Sequence, residues 1–281
     1  MPWWLLLVST IGQPAAAEAP RDTTRIAAAR ITEDGLRVHA VESPLQSAAT
    51  EIRVLSSPDI TAAAPAPVVY VLPVEAARES RYGDGLREIQ ERGLATRFRA
   101  HFVAPTFARL PWYADHPRQA DGQQERYFVQ VVVPFIERTY PVRAGRAGRL
   151  LLGFSKSGWG AWSLLLRHPE MFERAVAWDA PLMLDRPGPY GSGEIFGDDA
   201  TFRRYELSAR LRSEADRWRG TGAARLLHCG YDNFRNEHLR MEQLLTELQI
   251  HRQFRDGPRR KHDWHSGWVA EALEMLLNEA P

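Results

Sequence analysis

Residues 149–161 constrain the fold of this chain more than any other segment. An apolar run ends at Gly153, Ser155 follows two positions later, and small residues then open an amphipathic stretch at residues 162–167. This pattern predicts a strand, a sharp turn and a helix, with a hydroxyl at the turn. Small residues suit such a turn because the strand and the helix pass close together. A serine held there is pushed out of the sheet, where a base can reach it.

The turn resembles the nucleophile elbow of the α/β-hydrolases, whose usual pattern is Gly-x-Ser-x-Gly. Here Ser157 stands at the second glycine position, and Gly158 follows it. Centring the elbow on Ser157 would put Trp159 at a crowded position, so we take Ser155 as the predicted nucleophile. The alternative is that Ser155 only caps the helix that follows.

The acid of an α/β-hydrolase triad follows the serine in the chain and lies after a later strand. Three apolar runs after the turn predict strands, at residues 174–178, 225–231 and 251–255. Asp232 is the preferred acid, because it lies in a polar turn between a strand and a helix. Asp179, one strand earlier, is the second choice, and Glu237 is a third. Asp232 could equally be an N-cap of the helix that follows it.

The base is expected after the last strand, where the chain carries His262 and His265. His262 is nearer the strand end and is preferred, which leaves His265 as a wall of the substrate pocket. His168 closes the helix after the turn, where a donor suits the free carbonyls. His228 lies within a predicted strand and is expected to be a buried core histidine.

These motifs resemble the esterase family of α/β-hydrolases that includes S-formylglutathione hydrolases, enterobactin-type esterases, feruloyl esterases and mycolyltransferases. Its members carry Gly-x-Ser-x-Gly-Gly at the elbow, which residues 153–158 match with one substitution, and a late Gly-Gly-His-Asp-Trp motif. Residues 261–264 match the late motif without its glycines, and this match selects His262. The resemblance covers roughly residues 65–278. It implies an α/β-hydrolase fold, with a mostly parallel sheet flanked by helices and antiparallel strands at its start.

The expected activity is hydrolysis of carboxylic esters through an acyl-enzyme on Ser155. His262 would take the serine proton and later protonate the leaving group. Asp232 would fix the tautomer of the imidazole and stabilise its charged form. The alternatives are an acyltransferase that uses the same triad and a non-catalytic binding protein on a hydrolase fold. No cofactor is expected, and no metal site, because the chain lacks a His-x-x-x-His helix pair and a cysteine cluster.

The oxyanion of the tetrahedral intermediate needs two backbone donors. The residue after the nucleophile, Lys156, is predicted to supply one N–H. The other is predicted from the loop after the strand at residues 68–72, at Val74 or Glu75, since Pro73 has no N–H to donate.

Four side chains are predicted to contact the substrate, namely Trp112, Tyr113, Trp159 and His265. Trp112 and Tyr113 follow a strand end, so their loop should lie at the catalytic edge of the sheet; the alternative is a loop packed by its aromatic rings. Residues 185–220 are expected to form either a lid or a solvated helical connection.

Basic residues stand beside the predicted base, at Arg259, Arg260 and Lys261, and Lys156 follows the predicted nucleophile. These charges favour an anionic small-molecule ester as substrate, with a solvated basic loop as the alternative. The aromatic pair Trp112 and Tyr113 favours an aromatic group on the ester. The formal net charge of +1 gives no general attraction to nucleic acid.

Residues 20–281 are expected to form one domain, preceded by an apolar segment at residues 1–19. That segment resembles a short signal peptide cut after Ala17, which indicates a secreted or periplasmic protein. An uncleaved apolar tail, a mistaken start site and a cytoplasmic protein are the alternatives. The apolar run is too short for stable membrane insertion. Cys229 is the only cysteine, which excludes an internal disulfide.

Overall fold

We describe the protein from a computed structural model, which covers residues 23–78, 81–220 and 222–277. In this part of the chain, ten strands form one sheet. The strands are β1 (Arg25–Ile26), β2 (Arg30–Ile31), β3 (Arg37–Glu42), β4 (Thr50–Ser56), β5 (Val68–Leu72), β6 (His101–Pro105), β7 (Arg149–Phe154), β8 (Arg174–Trp178), β9 (Leu226–Gly230) and β10 (Arg252–Asp256).

The sheet joins an antiparallel part to a parallel part. Its strand order is β1-β3-β4-β6-β5-β7-β8-β9-β10, and β2 pairs with β3. The pairings of β1 to β4, including β4 with β6, are antiparallel, and every pairing from β6 to β10 is parallel. Strands β5, β6 and β9 are buried along their whole length, as expected for parallel strands covered on both faces. The predicted α/β-hydrolase architecture, with antiparallel strands at its start, is confirmed.

Helices cover both faces of the sheet. One face carries α5 (Lys156–Arg167) and α10 (Arg235–Glu247) with the helical segment before β7, and the other carries α1 (Gly85–Glu91) and α11 (Val269–Leu277). The helical segment before β7 spans residues 124–139, and its middle part is π-helical. The helices are α1 (Gly85–Glu91), α2 (Leu94–Phe98), α3 (Gln124–Arg126), the π-helix Tyr127–Val132, α4 (Val133–Thr139), α5 (Lys156–Arg167), α6 (Gly193–Phe196), α7 (Asp199–Arg203), α8 (Leu207–Ser213), α9 (Ala215–Trp218), α10 (Arg235–Glu247) and α11 (Val269–Leu277).

The segment at residues 185–220 contains four short helices, α6 to α9, which are anchored to the rest of the domain. Phe196 is fully buried, and its ring lies 5.7 Å from that of Trp159. The Tyr205 hydroxyl accepts a hydrogen bond from the backbone N–H of Asp115 at 3.0 Å. The segment is therefore packed by apolar side chains, unlike a solvated connection. The role of residues 185–220 as a lid stays a prediction.

The predicted signal peptide at residues 1–19, including the cleavage after Ala17, lies outside the described residues. Within the described ranges, no helix has both the length and the apolar character that a bilayer crossing requires.

Strand register decides which residues meet at the carboxyl edge of the sheet. Phe154 of β7 pairs with Trp178 of β8, so the residues that follow them leave the sheet side by side. The ladder continues for one more residue on each strand. The Ser155 N–H donates to the Trp178 carbonyl at 2.9 Å, and the Asp179 N–H donates to the Cys229 carbonyl at 2.8 Å. Ser155 and Asp179 are thus held at neighbouring positions on one edge.

Candidate active site

Ser155 occupies a strained backbone position between β7 and α5. Its φ is 53° and its ψ is −128°, a combination that L-residues rarely adopt and that costs about 1–3 kcal/mol. The turn also needs a glycine before it, because a Cβ on Gly153 would lie 2.1 Å from the Ser157 carbonyl oxygen. Surrounding packing therefore enforces the conformation of Ser155. A site that uses the Ser155 hydroxyl would require such a fixed backbone.

Ser157 explains the departure from the usual motif. Its side chain is fully buried, its Oγ accepts from the Phe154 N–H at 3.0 Å, and its hydroxyl donates to the Phe154 carbonyl at 2.9 Å. The hydroxyl therefore cross-links the turn, which a glycine could not do. With both its donor and an acceptor position occupied, Ser157 is a structural residue, which leaves Ser155 as the candidate nucleophile.

Lys156 is the first residue of α5, so its backbone N–H has no acceptor within the helix. Such an amide is a ready anion donor at a helix N-terminus. The loop that was expected to supply the second donor is anchored on both sides of Val74. The Tyr113 hydroxyl donates to the Pro73 carbonyl at 2.7 Å, and the Glu75 carboxylate accepts from the Arg81 N–H. The roles of Lys156, Val74 and Glu75 as oxyanion donors stay predictions.

His262 is held by a carboxylate on the strand next to that of Ser155. Its Nδ1 lies 2.5 Å from Asp179 Oδ2. Because an ionised carboxylate only accepts, the proton is on Nδ1, and Nε2 is left as an acceptor. The other oxygen of Asp179 accepts from the Phe234 N–H at 3.0 Å. Asp179 is fully buried and lies in the left-handed region with φ 41°, so its carboxylate has a fixed direction.

Asp232, the first choice of acid, binds a different partner. Its Oδ1 lies 3.0 Å from Nε and 2.9 Å from a terminal nitrogen of Arg259, in a solvent-exposed ion pair. Glu237, the third choice, accepts from the Met183 N–H at 2.7 Å. The carboxylate that contacts His262 is therefore Asp179, the second choice, and not Asp232, because β8 is directly beside the strand of Ser155 and β9 is one strand further away.

Aromatic rings surround His262 on several sides. The ring centroids of Phe154, Tyr82 and Phe234 lie 4.4, 5.5 and 5.7 Å from that of the imidazole. Tyr190 extends this cluster outward, since its ring lies 5.3 Å from Phe234 and the residue is 54% exposed. Sequence reasoning missed these residues. Only Phe154 carried a local signal, its place beside the nucleophile.

The three aromatic residues predicted to contact substrate are buried in the core instead. Trp112, Tyr113 and Trp159 have no exposed surface, and the two indole rings lie 5.5 Å apart in an edge-to-face contact. Tyr113 anchors the Pro73 loop through its hydroxyl. The structure thus favours the alternative in which the rings of Trp112 and Tyr113 pack their loop onto the sheet. The prediction that Trp112, Tyr113 and Trp159 contact the substrate is corrected, because these side chains have no exposed surface.

His265, the fourth predicted substrate contact, lies against the start of α1. Its Nε2 accepts from the Asp84 N–H at 3.2 Å, and its Nδ1 lies 3.0 Å from Glu88 Oε2. Glu88, Glu91 and His265 are close enough to share a cation. Both carboxylates already pair with arginines of the same helical segment, Glu88 with Arg92 and Glu91 with Arg87. We therefore assign His265 a structural contact with α1.

The basic residues around the site are largely neutralised by carboxylates. Each basic residue of the loop before His262 has an acidic partner: Arg259 with Asp232, Arg260 with Glu271 and Lys261 with Asp263. Burial lowers the pKa of Lys156, while Glu75 opposes this effect and Arg81 adds to it. Positive charge at the site is therefore smaller than the sequence suggests.

Comparison with known families gives one match. A family described as "Putative esterase" matches residues 96–271, which is more than half of the chain. No curated protein matches the chain.

Solved structures of serine hydrolases share the fold. An S-formylglutathione hydrolase from Agrobacterium tumefaciens superposes with a TM-score of 0.68 at 16% identity, over 89% of this chain and 97% of that one. A ferulic acid esterase gives 0.63 at 18% identity, over 90% and 94%. A fluorophosphonate-binding serine hydrolase from Staphylococcus aureus gives 0.69 at 16% identity, over 87% and 99%.

Proposed function

Because the chain belongs to this esterase family and is a carboxylic-ester hydrolase, we propose that it works through an acyl-enzyme on Ser155. The proposed triad is Ser155, His262 and Asp179. One observation carries it: the 2.5 Å contact of His262 with Asp179, at the edge where the strained turn presents Ser155. The turn then acts as a nucleophile elbow.

Each residue has a defined part in the proposed reaction. His262 Nε2 takes the proton of Ser155 as the oxygen attacks the ester carbonyl. Asp179 keeps the imidazole in the required tautomer and stabilises the imidazolium. The Lys156 N–H and an amide of Val74 or Glu75 stabilise the oxyanion. His262 then protonates the leaving alcohol, and a water activated by the same base hydrolyses the acyl-enzyme.

Trapping the intermediate tests this mechanism. We expect rapid acid quenching during turnover of a nitrophenyl ester to leave one acyl group on the tryptic peptide that contains Ser155. Hydrolysis without an acylated peptide, while the released nitrophenol shows no burst, would contradict the covalent mechanism. Adding an alcohol acceptor and analysing the products separates a hydrolase from an acyltransferase.

The substrate we propose carries an aromatic group on the acyl or alcohol side. Rings of Tyr82, Phe154 and Phe234 surround His262, and Tyr190 offers an exposed face at the outer end of this cluster. Aromatic pairs contribute about 0.5–1.5 kcal/mol beyond the area that they bury. The neutralised basic loop gives less support to an anionic substrate.

Removing the exposed ring tests the substrate class. We expect Tyr190→Ala to raise KM for an aromatic ester by about 2- to 10-fold relative to an aliphatic ester with the same leaving group. Ile31→Ala is the matched control, because Ile31 is also a large exposed apolar residue and lies on β2, in the antiparallel part of the sheet. Equal changes for aromatic and aliphatic esters would exclude this role of Tyr190.

A further inference from the structure

Two fully buried histidines lie directly behind the proposed acid. His238 Nε2 accepts from the Ala180 N–H at 2.8 Å, and its Nδ1 lies 3.0 Å from Nδ1 of His228. His228 Nε2 in turn lies 3.1 Å from Glu242 Oε2. These contacts form a continuous chain of hydrogen bonds that links Glu242 with the residue after Asp179.

The direction of every proton in this chain is fixed from both ends. The Glu242 carboxylate only accepts, so His228 carries its proton on Nε2, and its Nδ1 is an acceptor. The Ala180 amide only donates, so His238 accepts on Nε2 and carries its proton on Nδ1. The two assignments agree at the contact between the rings, where His238 donates to His228. One neutral tautomer of each histidine satisfies the whole chain.

Burial keeps both histidines neutral. It lowers the pKa of His238 well below 6.5, and the neighbouring His228 acts in the same direction. Burial also lowers the pKa of His228, against the opposing effect of Glu242. For Glu242, burial acts to raise the pKa, but hydrogen bonds from His228 and Arg252 outweigh it and hold the pKa at about 2. The carboxylate end of the chain is therefore ionised at neutral pH.

The backbone is shaped to let His238 reach the acid loop. A Cβ on Gly230 would lie 2.4 Å from the Cβ of His238, so only glycine permits this approach. The turn between β9 and α10 supplies the Phe234 N–H that binds Asp179 Oδ1. The first part of α10 and the turn before it thus hold both the Asp179 carboxylate and the amide that follows it. Asp179 has a φ of 41°, so its backbone needs such support to keep its direction.

We propose that His238 is a positioning residue of the active site, which holds the Asp179–Ala180 peptide and so aims the Asp179 carboxylate at His262. The inference rests on the proposed triad. A displacement of about 1 Å near a reacting group costs up to 10²-fold in rate. His238 acts through the backbone of the acid loop, and its orientation is set by His228 and Glu242.

Two substitutions of His238 test this role, with kcat, KM and the pH profile of kcat/KM as readouts. We expect His238→Leu to lower kcat by about 10- to 100-fold and to leave KM within about 3-fold. The acidic limb of the profile should move to lower pH by roughly half a unit, because a displaced carboxylate stabilises the imidazolium less. His238→Gln keeps one donor and one acceptor on a neutral side chain and should restore most of the activity. It also keeps the test valid if His238→Leu does not fold.

His39→Leu is the matched control for loss of a buried histidine. Both ring nitrogens of His39 are hydrogen bonded, to the Ala27 carbonyl at 2.9 Å and to the Tyr140 hydroxyl at 2.7 Å, and it lies on β3. It should lose stability without a shift of the pH profile. If His238→Leu, like His39→Leu, loses stability without a shift of the pH profile, the inference about His238 is overturned and the proposed triad is unaffected. An inactive wild type, or an Asp179→Asn enzyme with normal activity, would overturn the proposed triad and the inference with it.

Discussion

Replacing Ser155 with alanine is expected to lower kcat by about 10⁴- to 10⁶-fold without unfolding the protein. The magnitude follows from the loss of covalent catalysis, since removing a serine nucleophile leaves only substrate binding and the oxyanion donors. Alanine also fits the turn as serine does, because it adds no atom beyond Cβ. The measurement is the rate of hydrolysis of a nitrophenyl ester, with thermal unfolding as the test of folding.

Ser157→Ala is the matched control, since both hydroxyls lie in the same turn. It removes two hydrogen bonds to Phe154, so it should cost about 1–3 kcal/mol of the free energy of unfolding. Its kcat should fall by less than about 10-fold, a loss small beside that of Ser155→Ala. An active Ser155→Ala enzyme beside an inactive, folded Ser157→Ala enzyme would move the nucleophile to Ser157.

Asp179→Asn is expected to lower kcat by about 10³- to 10⁴-fold. An asparagine amide can present its NH₂ group to Nδ1 of His262, which selects the tautomer that cannot act as the base. Asp232→Asn removes an ion pair with a side chain, Arg259, that is 85% exposed, and exposed pairs contribute little. Its kcat should stay within about 3-fold of the wild type. The two variants are compared in the same ester assay.

The comparison of these two variants separates the assignments directly. A large loss in Asp232→Asn with a small loss in Asp179→Asn would restore the choice made from the sequence. Comparable losses in both would indicate that the Asp232–Arg259 pair also supports the loop that carries His262.

The sequence predicted the sheet and the position of the serine well, because both depend on local patterns. The apolar run of β7, the glycine at its end and the small residues after it are encoded within residues 149–161. The boundaries of β5 and β8 agree with the sequence prediction to the residue. Such strands are continuous apolar runs, because helices cover both faces of the sheet.

Local sequence could not distinguish between the two candidate acids. Asp179 and Asp232 both follow a predicted strand, and only the strand order places β8 directly beside β7. Arg259, which binds Asp232, lies 27 positions away in the chain, so its pairing could not be read from local spacing. The buried histidines His228 and His238 likewise meet through the packing of α10 on β9.

The aromatic residues illustrate the same distinction. Trp112 and Tyr113 follow a strand end, a position that fits a substrate pocket equally with a packed loop. Their complete burial depends on two contacts with distant parts of the chain. Trp112 packs against Trp159, and the Tyr113 hydroxyl donates a hydrogen bond to the Pro73 carbonyl. The rings beside His262, such as Tyr82 and Phe234, come from loops whose position near His262 no local sequence pattern indicated.

The most direct test of the central claim is labelling with a fluorophosphonate, followed by mapping of the adduct by mass spectrometry. An activated serine should react rapidly, so the wild type is expected to carry the adduct on Ser155. Ser155→Ala should remain unlabelled, Asp179→Asn should react far more slowly, and Asp232→Asn should react like the wild type. Folded wild-type protein that is not labelled at Ser155, or an Asp179→Asn enzyme labelled as fast as the wild type, would contradict the proposed triad.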